Sequence, residues 1–450
     1  MHPGAVAEPA QTDRGWEMAA RLRSLLGIGL LAVGAWALSV DRRRVPWRIV
    51  LWGLGLQFVF ALLILRTPFG AAVFAVANDI IMAGVGFTLA GAEFIFGDLV
   101  RNNVPVGVGE PGNGDFVAEG RQVARTGAFV AFNVLPTIIF FASVMTVLYH
   151  LGVMHRVVGG IAWVMQRTMG TSGAETLSAA GNIFVGQTEA PLLVKPFIAG
   201  MTRSELMSVM TGGFATVAGG VMAAYVGMLA GFFPDIAGHL MAASLMSAPA
   251  ALVVAKLMVP ETGKPATAGR SAARIERPDV NVIGAAARGA SEGMSLALNV
   301  GAMLLAFLAM IALLNAVLGW VGGLVGLEGL TLEGMLGWLL APVAWLMGVA
   351  WEDAATVGSL MGLKTVATEF VAFLGLTGEM ADGSLSARSA TIAAYALSGF
   401  ANFASIAVQI GGIGGIAPSR REDLARLGLR AMIGGSIAAF MTAAIAGVLI

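Results

Sequence analysis

The chain has no cysteine among its 450 residues, which removes disulfides, thiol nucleophiles and thiolate metal sites at once. Charge is also scarce. Lys+Arg and Asp+Glu contribute 27 each, together 12% of the chain, where a soluble globule carries about 25%. The charges sum to zero and no long basic run occurs, so the electrostatic footprint of a nucleic-acid-binding protein is absent. The four histidines, His2, His150, His155 and His239, are scattered, with no zinc-protease or serine-hydrolase motif to join them, and nothing points to an enzyme. What is abundant is apolar: 57% hydrophobic residues, 61 glycines and a mean hydropathy of +0.82. The natural solvent of such a surface is hydrocarbon, and with every backbone polar group to be satisfied internally, the predicted class is an all-α polytopic membrane protein.

Runs of about 20 apolar residues predict eight spans, at 24–40, 48–65, 128–154, 205–230, 237–258, 295–318, 389–413 and 429–450. The less regular stretch 69–100, carrying Asp79 and Glu93, reads as an interfacial helix. Two further apolar regions, 155–200 and 330–376, are interrupted by polar residues and read as opposed re-entrant hairpins. With the N- and C-termini outside, 18 of the 27 basic residues fall on the inner side, which favours that orientation and places the linker 260–278 in the cytoplasm. The organisation expected is an N-terminal scaffold (1–154), the first hairpin with its following helices (155–258), a linker (259–294), and a scaffold helix, second hairpin and final spans (295–450). Gly107-Val-Gly109-Glu-Pro-Gly112, in the loop 101–127, matches the dinucleotide fingerprint formally but lacks its strand and helix, and reads as chance.

Gly213-Phe-Ala-Thr216 and Gly399-Phe-Ala-Asn402 are near-copies, each downstream of one interrupted region that holds a carboxylate, Glu189 or Glu369. A two-fold internal repeat with paired broken segments points to a midplane binding site of a transporter. In Gly186-Gln187-Thr188-Glu189-Ala-Pro191, a regular helix would aim successive side chains about 100° apart, so a non-helical tip is needed for them to face one ligand. Pro191 suits the first position of a new helix just after it. A carboxylate at bilayer depth costs roughly 2.5 to 3.5 kcal/mol on insertion scales, and function is the usual reason for keeping it. The competing reading makes each glutamate half of a structural ion pair, Glu189 with Lys195 and Glu369 with Lys364. Asn402 and Ser405 share a helical face beside Phe400, and simple interhelical hydrogen bonding is their alternative role.

At Val134-Leu-Pro-Thr-Ile-Ile-Phe-Phe-Ala-Ser-Val-Met, Gly186-Gln-Thr-Glu-Ala-Pro-Leu, Gly212-Gly-Phe-Ala-Thr-Val-Ala-Gly, Trp351-Glu-Asp-Ala-Ala-Thr-Val-Gly-Ser-Leu, Glu369-Phe-Val-Ala and Ser398-Gly-Phe-Ala-Asn-Phe-Ala-Ser, the sequence resembles the concentrative nucleoside transporter family. The resemblance implies eight spans, two opposed re-entrant hairpins and an interfacial helix in a homotrimer embedded in membrane lipid. It places Gly186, Gln187, Thr188, Glu189 and Val221 at the nucleobase, and Glu369, Asn402 and Ser405 at the ribose with Phe400 beside the sugar. It also implies a Na+ site at Asn182, Val185, Thr216 and Val217, with Na+ as coupling ion and no other cofactor. Thr368 departs from the family's usual Asn. The function expected is Na+-driven import of nucleosides across the cell membrane by alternating access. Proton coupling through Glu189 or Glu369 is the nearer alternative, and a nucleoside-binding membrane receptor the more distant one.

Overall fold

The computed structural model describes residues 11–101, 103–109, 116–125, 130–269, 279–327 and 329–450. The N-terminal part comprises α1 (Gln11–Ala37), α2 (Trp47–Arg66) and α3 (Pro68–Phe96). Pro68 at the first position and the Thr67 hydroxyl, which accepts from the Gly70 N–H, start α3. The stretch expected as an interfacial helix is one continuous helix of 29 residues, because its glycines do not break the hydrogen-bond ladder, and by length and composition it is also able to cross a bilayer. The helical expectation holds for most of the described residues, with one addition. Strands β1 (Asn103–Gly109) and β2 (Phe116–Arg125) form an antiparallel hairpin, with Asn103 opposite Arg125 and Gly109 opposite Phe116. Gly107 and Gly109 thus lie in a strand, while Gly112 lies outside the described residues; β1 leads to a second strand and not to the helix that the fingerprint requires.

After a π-helical turn at Val130–Val134 come α4 (Leu135–His150) and α5 (Val153–Met169). The buried residues of α5, Met154, Val158, Ala162, Met165 and Met169, form one stripe at three- and four-residue spacing, with Arg156 and Trp163 outside it. The first interrupted region is therefore an amphipathic helix followed by a shorter hairpin. That hairpin is α6 (Gly173–Gly181), a turn, a 3-10 segment at Ala190–Val194 and α7 (Lys195–Ile198), with Pro191 opening its second limb. Next come α8 (Arg203–Ala215), α9 (Gly219–Leu229) and α10 (Ile236–Met258). α11 (Val282–Leu324) begins well before the span expected at 295 and is 43 residues long.

The second interrupted region repeats the plan. α12 (Leu332–Leu346) is bent by 118° from α13 (Trp351–Val366), which pairs with α14 (Glu369–Ala381) across a tip of two residues. Residues 389–413, expected as one span, are instead α15 (Ala387–Leu397) and α16 (Phe403–Ile416), and α17 (Arg421–Leu449) closes the chain. Among the described residues eight helical segments are long and apolar enough to cross a bilayer, but the set includes 68–100 and omits 389–413.

The core is α8, α9, α10 and α17, whereas α11 buries little of its surface and offers the rest to lipid or to other chains. α11 runs against α4 through glycines: a Cβ at Gly289 would lie 2.7 Å from Ser143 Cα, and Ser143 Oγ donates to the Ala286 carbonyl at 2.9 Å. Contacts at the helix ends orient the bundle. The Arg21 guanidinium reaches the Ile450 carbonyl and that of Arg66 the Leu449 carbonyl, so the N-terminal end of α1 meets the C-terminal ends of α2 and α17. Arg23 donates to Val349 and Arg388 to Gly348, which puts the base of the second hairpin at that same end. At the other end the Val40 N–H donates to the Met258 carbonyl, and Ser204 Oγ to that of Val259.

The base of the first hairpin belongs to this second end, so the two hairpins enter from opposite ends. Its helix starts with a capping box, Ser172 with Glu175, matched by Thr202 with Glu205 at α8. Lys256, 2% exposed, pairs with Glu175 at 2.7 Å and donates to Ser204 at 2.9 Å. Thr267 supplies its hydroxyl and carbonyl oxygens to the N–H groups of Ala174 and Gly173. Thr267 is thereby buried, although its place in a polar linker suggests exposure. The basic centre of that linker, 270–278, lies outside the described residues.

Candidate functional site

The two near-copies sit where the α8–α9 and α15–α16 helices break, and the breaks cross. Gly399 has φ +144°, and a Cβ there would meet the Phe214 carbonyl oxygen at 2.7 Å and the Ala215 carbonyl oxygen at 3.1 Å. Only glycine accepts both that conformation and that approach. Extended backbone at Thr216 and Asn402 stops one helix of each pair or starts the next, leaving peptide groups free at the centre of the bundle.

Both hairpin tips come to the start of α16. Asn402 caps that helix, its Oδ1 accepting from the Ser405 N–H at 2.8 Å. Its Nδ2 donates to Glu369 Oε2 at 2.9 Å. Glu369 is the first residue of α14, after the cap Thr368, whose hydroxyl accepts from Val371 N–H. The Thr that departs from the resembled family's Asn therefore still caps the helix. From the other tip, Gln187 donates to Ser405 Oγ at 3.1 Å and accepts from Gln409 Nε2 at 3.0 Å, and Gln409 also donates to the Met210 carbonyl at 3.1 Å. Glu369, Asn402, Ser405 and Gln187 are all buried, and Phe400 is half-buried beside them.

The remaining expected residues hold different positions. Thr188 packs on α16, where a Cβ at Gly412 would meet its Cγ2 at 2.8 Å. Val221 is buried at the start of α9. Gly186 lies beneath the Glu189 side chain, so that a Cβ there would sit 2.3 Å from Glu189 Oε2. Glu189 itself is exposed, and its electrostatic neighbours are Tyr149 of α4 and Glu292 of α11. Neither structural ion pair forms among the described residues. Lys195 is exposed, and Lys364 is buried with its ammonium donating to the Ala396 carbonyl at 2.9 Å.

Asn182 is fully buried at the end of α6, and its Oδ1 and Nδ2 have no hydrogen-bond partner. A Cβ at Gly212 would lie 3.2 Å from that Nδ2, and Thr216 Oγ1 donates to the Gly212 carbonyl at 2.9 Å, so both side chains converge on one glycine. The Gly219 N–H donates to the Phe184 carbonyl at 3.0 Å, tying the turn that carries Val185 to the break that carries Thr216 and Val217. An orphaned buried amide oxygen beside a hydroxyl oxygen fits a hard, small cation. Among the described residues no group of three or more His, Asp or Glu side chains is placed to hold a metal ion.

Two contributors escaped the sequence reading. Gln409 continues the Asn402 and Ser405 face by one turn, a legible polar stripe in an apolar helix. Tyr225 lies four residues after Val221 and donates to Glu369 Oε1 at 2.9 Å. Tyrosines are few here, only three, and that scarcity was the available signal.

Three family models cover most of the chain: the Na+ dependent nucleoside transporter N-terminus over residues 26–99, nucleoside recognition over 131–232, and the Na+ dependent nucleoside transporter C-terminus over 239–447. The uncharacterized transporter YutK of Bacillus subtilis is 43% identical over 431 residues, covering 95% of this chain and 99% of that one. This chain belongs to the concentrative, Na+-dependent nucleoside transporter family. Family relatives from Rattus norvegicus include solute carrier family 28 member 3, 42% identical over 95% of this chain and 59% of that protein, and sodium/nucleoside cotransporter 1, 41% identical over 95% and 64%. The chain thus spans about three fifths of the length of these mammalian relatives. Among solved structures, family member CNTnw in an inward-facing substrate-bound state matches with TM-score 0.83 and 41% identity, covering 96% of this chain and 98% of that one. A substituted CNTnw in an outward-facing state matches with TM-score 0.85 and 42% identity over 96% and 99%. Membership makes the long apolar helices those of a multi-pass membrane protein.

Proposed function

We propose that this protein is a Na+-coupled symporter that imports nucleosides across the cell membrane by alternating access. One observation carries the reading: the tips of two hairpins entering from opposite ends both hydrogen-bond to the start of the same broken helix, Glu369 to Asn402 and Gln187 to Ser405. On one side stands a carboxylate with an amide, suited to vicinal hydroxyls; on the other stand amide and hydroxyl groups able to donate to and accept from a base edge. Glu369, Asn402, Ser405 and Phe400 take the ribose in this assignment, and Gly186, Gln187, Thr188, Glu189 and Val221 the base.

Na+ is held by Asn182 Oδ1, Thr216 Oγ1 and the backbone oxygens of Val185 and Val217. Its charge offsets the cost of leaving those oxygens dry, and the ion fixes the first hairpin's turn against the α8–α9 break. Cation binding thereby prepares the site for nucleoside, which is the physical content of coupling. α4 and α11, locked through Gly289 and Gly293, serve as the scaffold on which a homotrimer assembles in lipid, and the hairpin-bearing half moves against it. The termini face outward and the 260–278 linker the cytoplasm. Counterflow of labelled uridine in proteoliposomes under imposed Na+ or H+ gradients tests all of this. Accumulation that follows Na+ supports the reading. Accumulation that follows pH alone transfers coupling to Glu189 or Glu369, and binding without accumulation makes the protein a receptor.

A further inference from the structure

We propose that Tyr225 is a positioning residue for ribose recognition: its hydroxyl fixes the Glu369 carboxylate so that the acceptor positions still open on its two oxygens match the two vicinal hydroxyls of a ribonucleoside. The inference rests on the assignment of Glu369 to the sugar. Tyr225 is fully buried on α9, its ring stacked on Phe373 at a centroid distance of 4.3 Å with planes 22° apart, and edge-on to Phe370 at 5.6 Å. These two phenylalanines belong to α14, the helix that Glu369 opens, so the ring fixes where the hydroxyl points. That hydroxyl donates to Glu369 Oε1 at 2.9 Å, while Asn402 Nδ2 donates to Oε2 at 2.9 Å.

A carboxylate offers about four lone-pair positions. One internal donor on each oxygen leaves about one open position per oxygen, and prevents the carboxylate from turning about its own axis. A diol then meets an acceptor already oriented, without the cost of ordering it at binding. The same contact joins α9, from the first half of the repeat, to α14, from the second, so the sugar side of the site depends on both halves.

The test uses the full chain in proteoliposomes, with uridine and 3′-deoxyuridine as the two substrates. Tyr225→Phe keeps the ring on Phe373 and removes only the hydroxyl. Its expected effect is a rise of about tenfold in KM for uridine, the size of one lost charged hydrogen bond, with the maximal rate retained and the 3′-deoxyuridine KM changed by less than about twofold. Combined with Glu369→Gln, which removes the charge that Tyr225 positions, Tyr225→Phe should add little. Phe373→Leu loosens the stack that aims the hydroxyl but leaves the hydroxyl itself, so it should raise the uridine KM in the same direction as Tyr225→Phe and by a smaller factor, while the thermal midpoint of Tyr225→Phe itself controls for stability. Equal loss for both substrates in Tyr225→Phe, or full additivity with Glu369→Gln, overturns the inference. If Glu369→Gln itself treats the two substrates alike, the sugar assignment fails first; if it discriminates and Tyr225→Phe does not, only the role of Tyr225 is lost.

Discussion

Asn182→Ala separates a cation ligand from an ordinary buried amide by the sign of its effect on stability. Asn182 is fully buried, and its two polar side-chain atoms have no hydrogen-bond partner among the described residues. Each such atom costs about 1 to 3 kcal/mol. Alanine removes both atoms and loses only the small packing contribution of the amide, so the variant in choline or potassium buffer should be at least as stable as the wild type. In Na+ the order reverses. A ligand present at a hundredfold over its dissociation constant stabilises the folded state by about 2.7 kcal/mol, and the variant, lacking the amide oxygen, should lose most of that increment. The assay is thermal unfolding of detergent-solubilised protein across a Na+ titration with choline held as counter-titrant. Uptake measured in parallel should show a higher Na+ concentration for half-maximal rate. A variant less stable than wild type without Na+, yet stabilised by Na+ to the same degree, would refute both the cation-ligand reading of Asn182 and the proposed cation site.

Glu369→Gln should weaken ribonucleosides by about tenfold to a hundredfold, the equivalent of 1.5 to 3 kcal/mol for a lost charged partner, while a 3′-deoxynucleoside changes little; competition uptake reads both. Gly399→Ala forces a Cβ against the Phe214 carbonyl oxygen from a backbone with φ +144°, and should destabilise the protein by about 1 to 3 kcal/mol, seen as a lower thermal midpoint together with reduced uptake. Burial alone would raise the pKa of Glu261, but the Lys256 ammonium, the Gly263 N–H and the Thr202 hydroxyl outweigh it and hold the carboxyl below its ordinary value. A depressed folded pKa gives stability that is present above the unfolded value and is lost as pH falls through the folded one. Glu261→Gln should therefore flatten the acid end of the stability profile, below about pH 4.5, and an unchanged profile would remove Glu261 from that linkage. In this cysteine-free chain, single cysteines at the exposed positions Lys264 and Ser419 should resist impermeant thiol reagents in intact cells; labelling of both inverts the orientation.

Hydropathy and chain-break signals are local, and the sequence alone carried them. Scarce charge and long apolar runs set the solvent, Pro191 marked where the second limb of the first hairpin begins, and the copies at Gly213 and Gly399 marked both broken helices. The same local signals did not tell how long and continuous α3 is, and an apolar average drew one span over 389–413 across the break that Gly399 marks. Partners distant along the chain were decided only by packing. Lys364, five residues before Glu369, stays within electrostatic reach of it yet donates its hydrogen bond to the Ala396 carbonyl. Tyr225 reaches Glu369 across 144 positions, and Gln409 reaches Gln187 across 222. Thr267, polar and in a linker, is buried because two N–H groups at the start of α6 need acceptors. Composition determines which groups a bilayer will tolerate at depth, but which of them meet depends on where the helices cross, and that is a property of the assembled bundle.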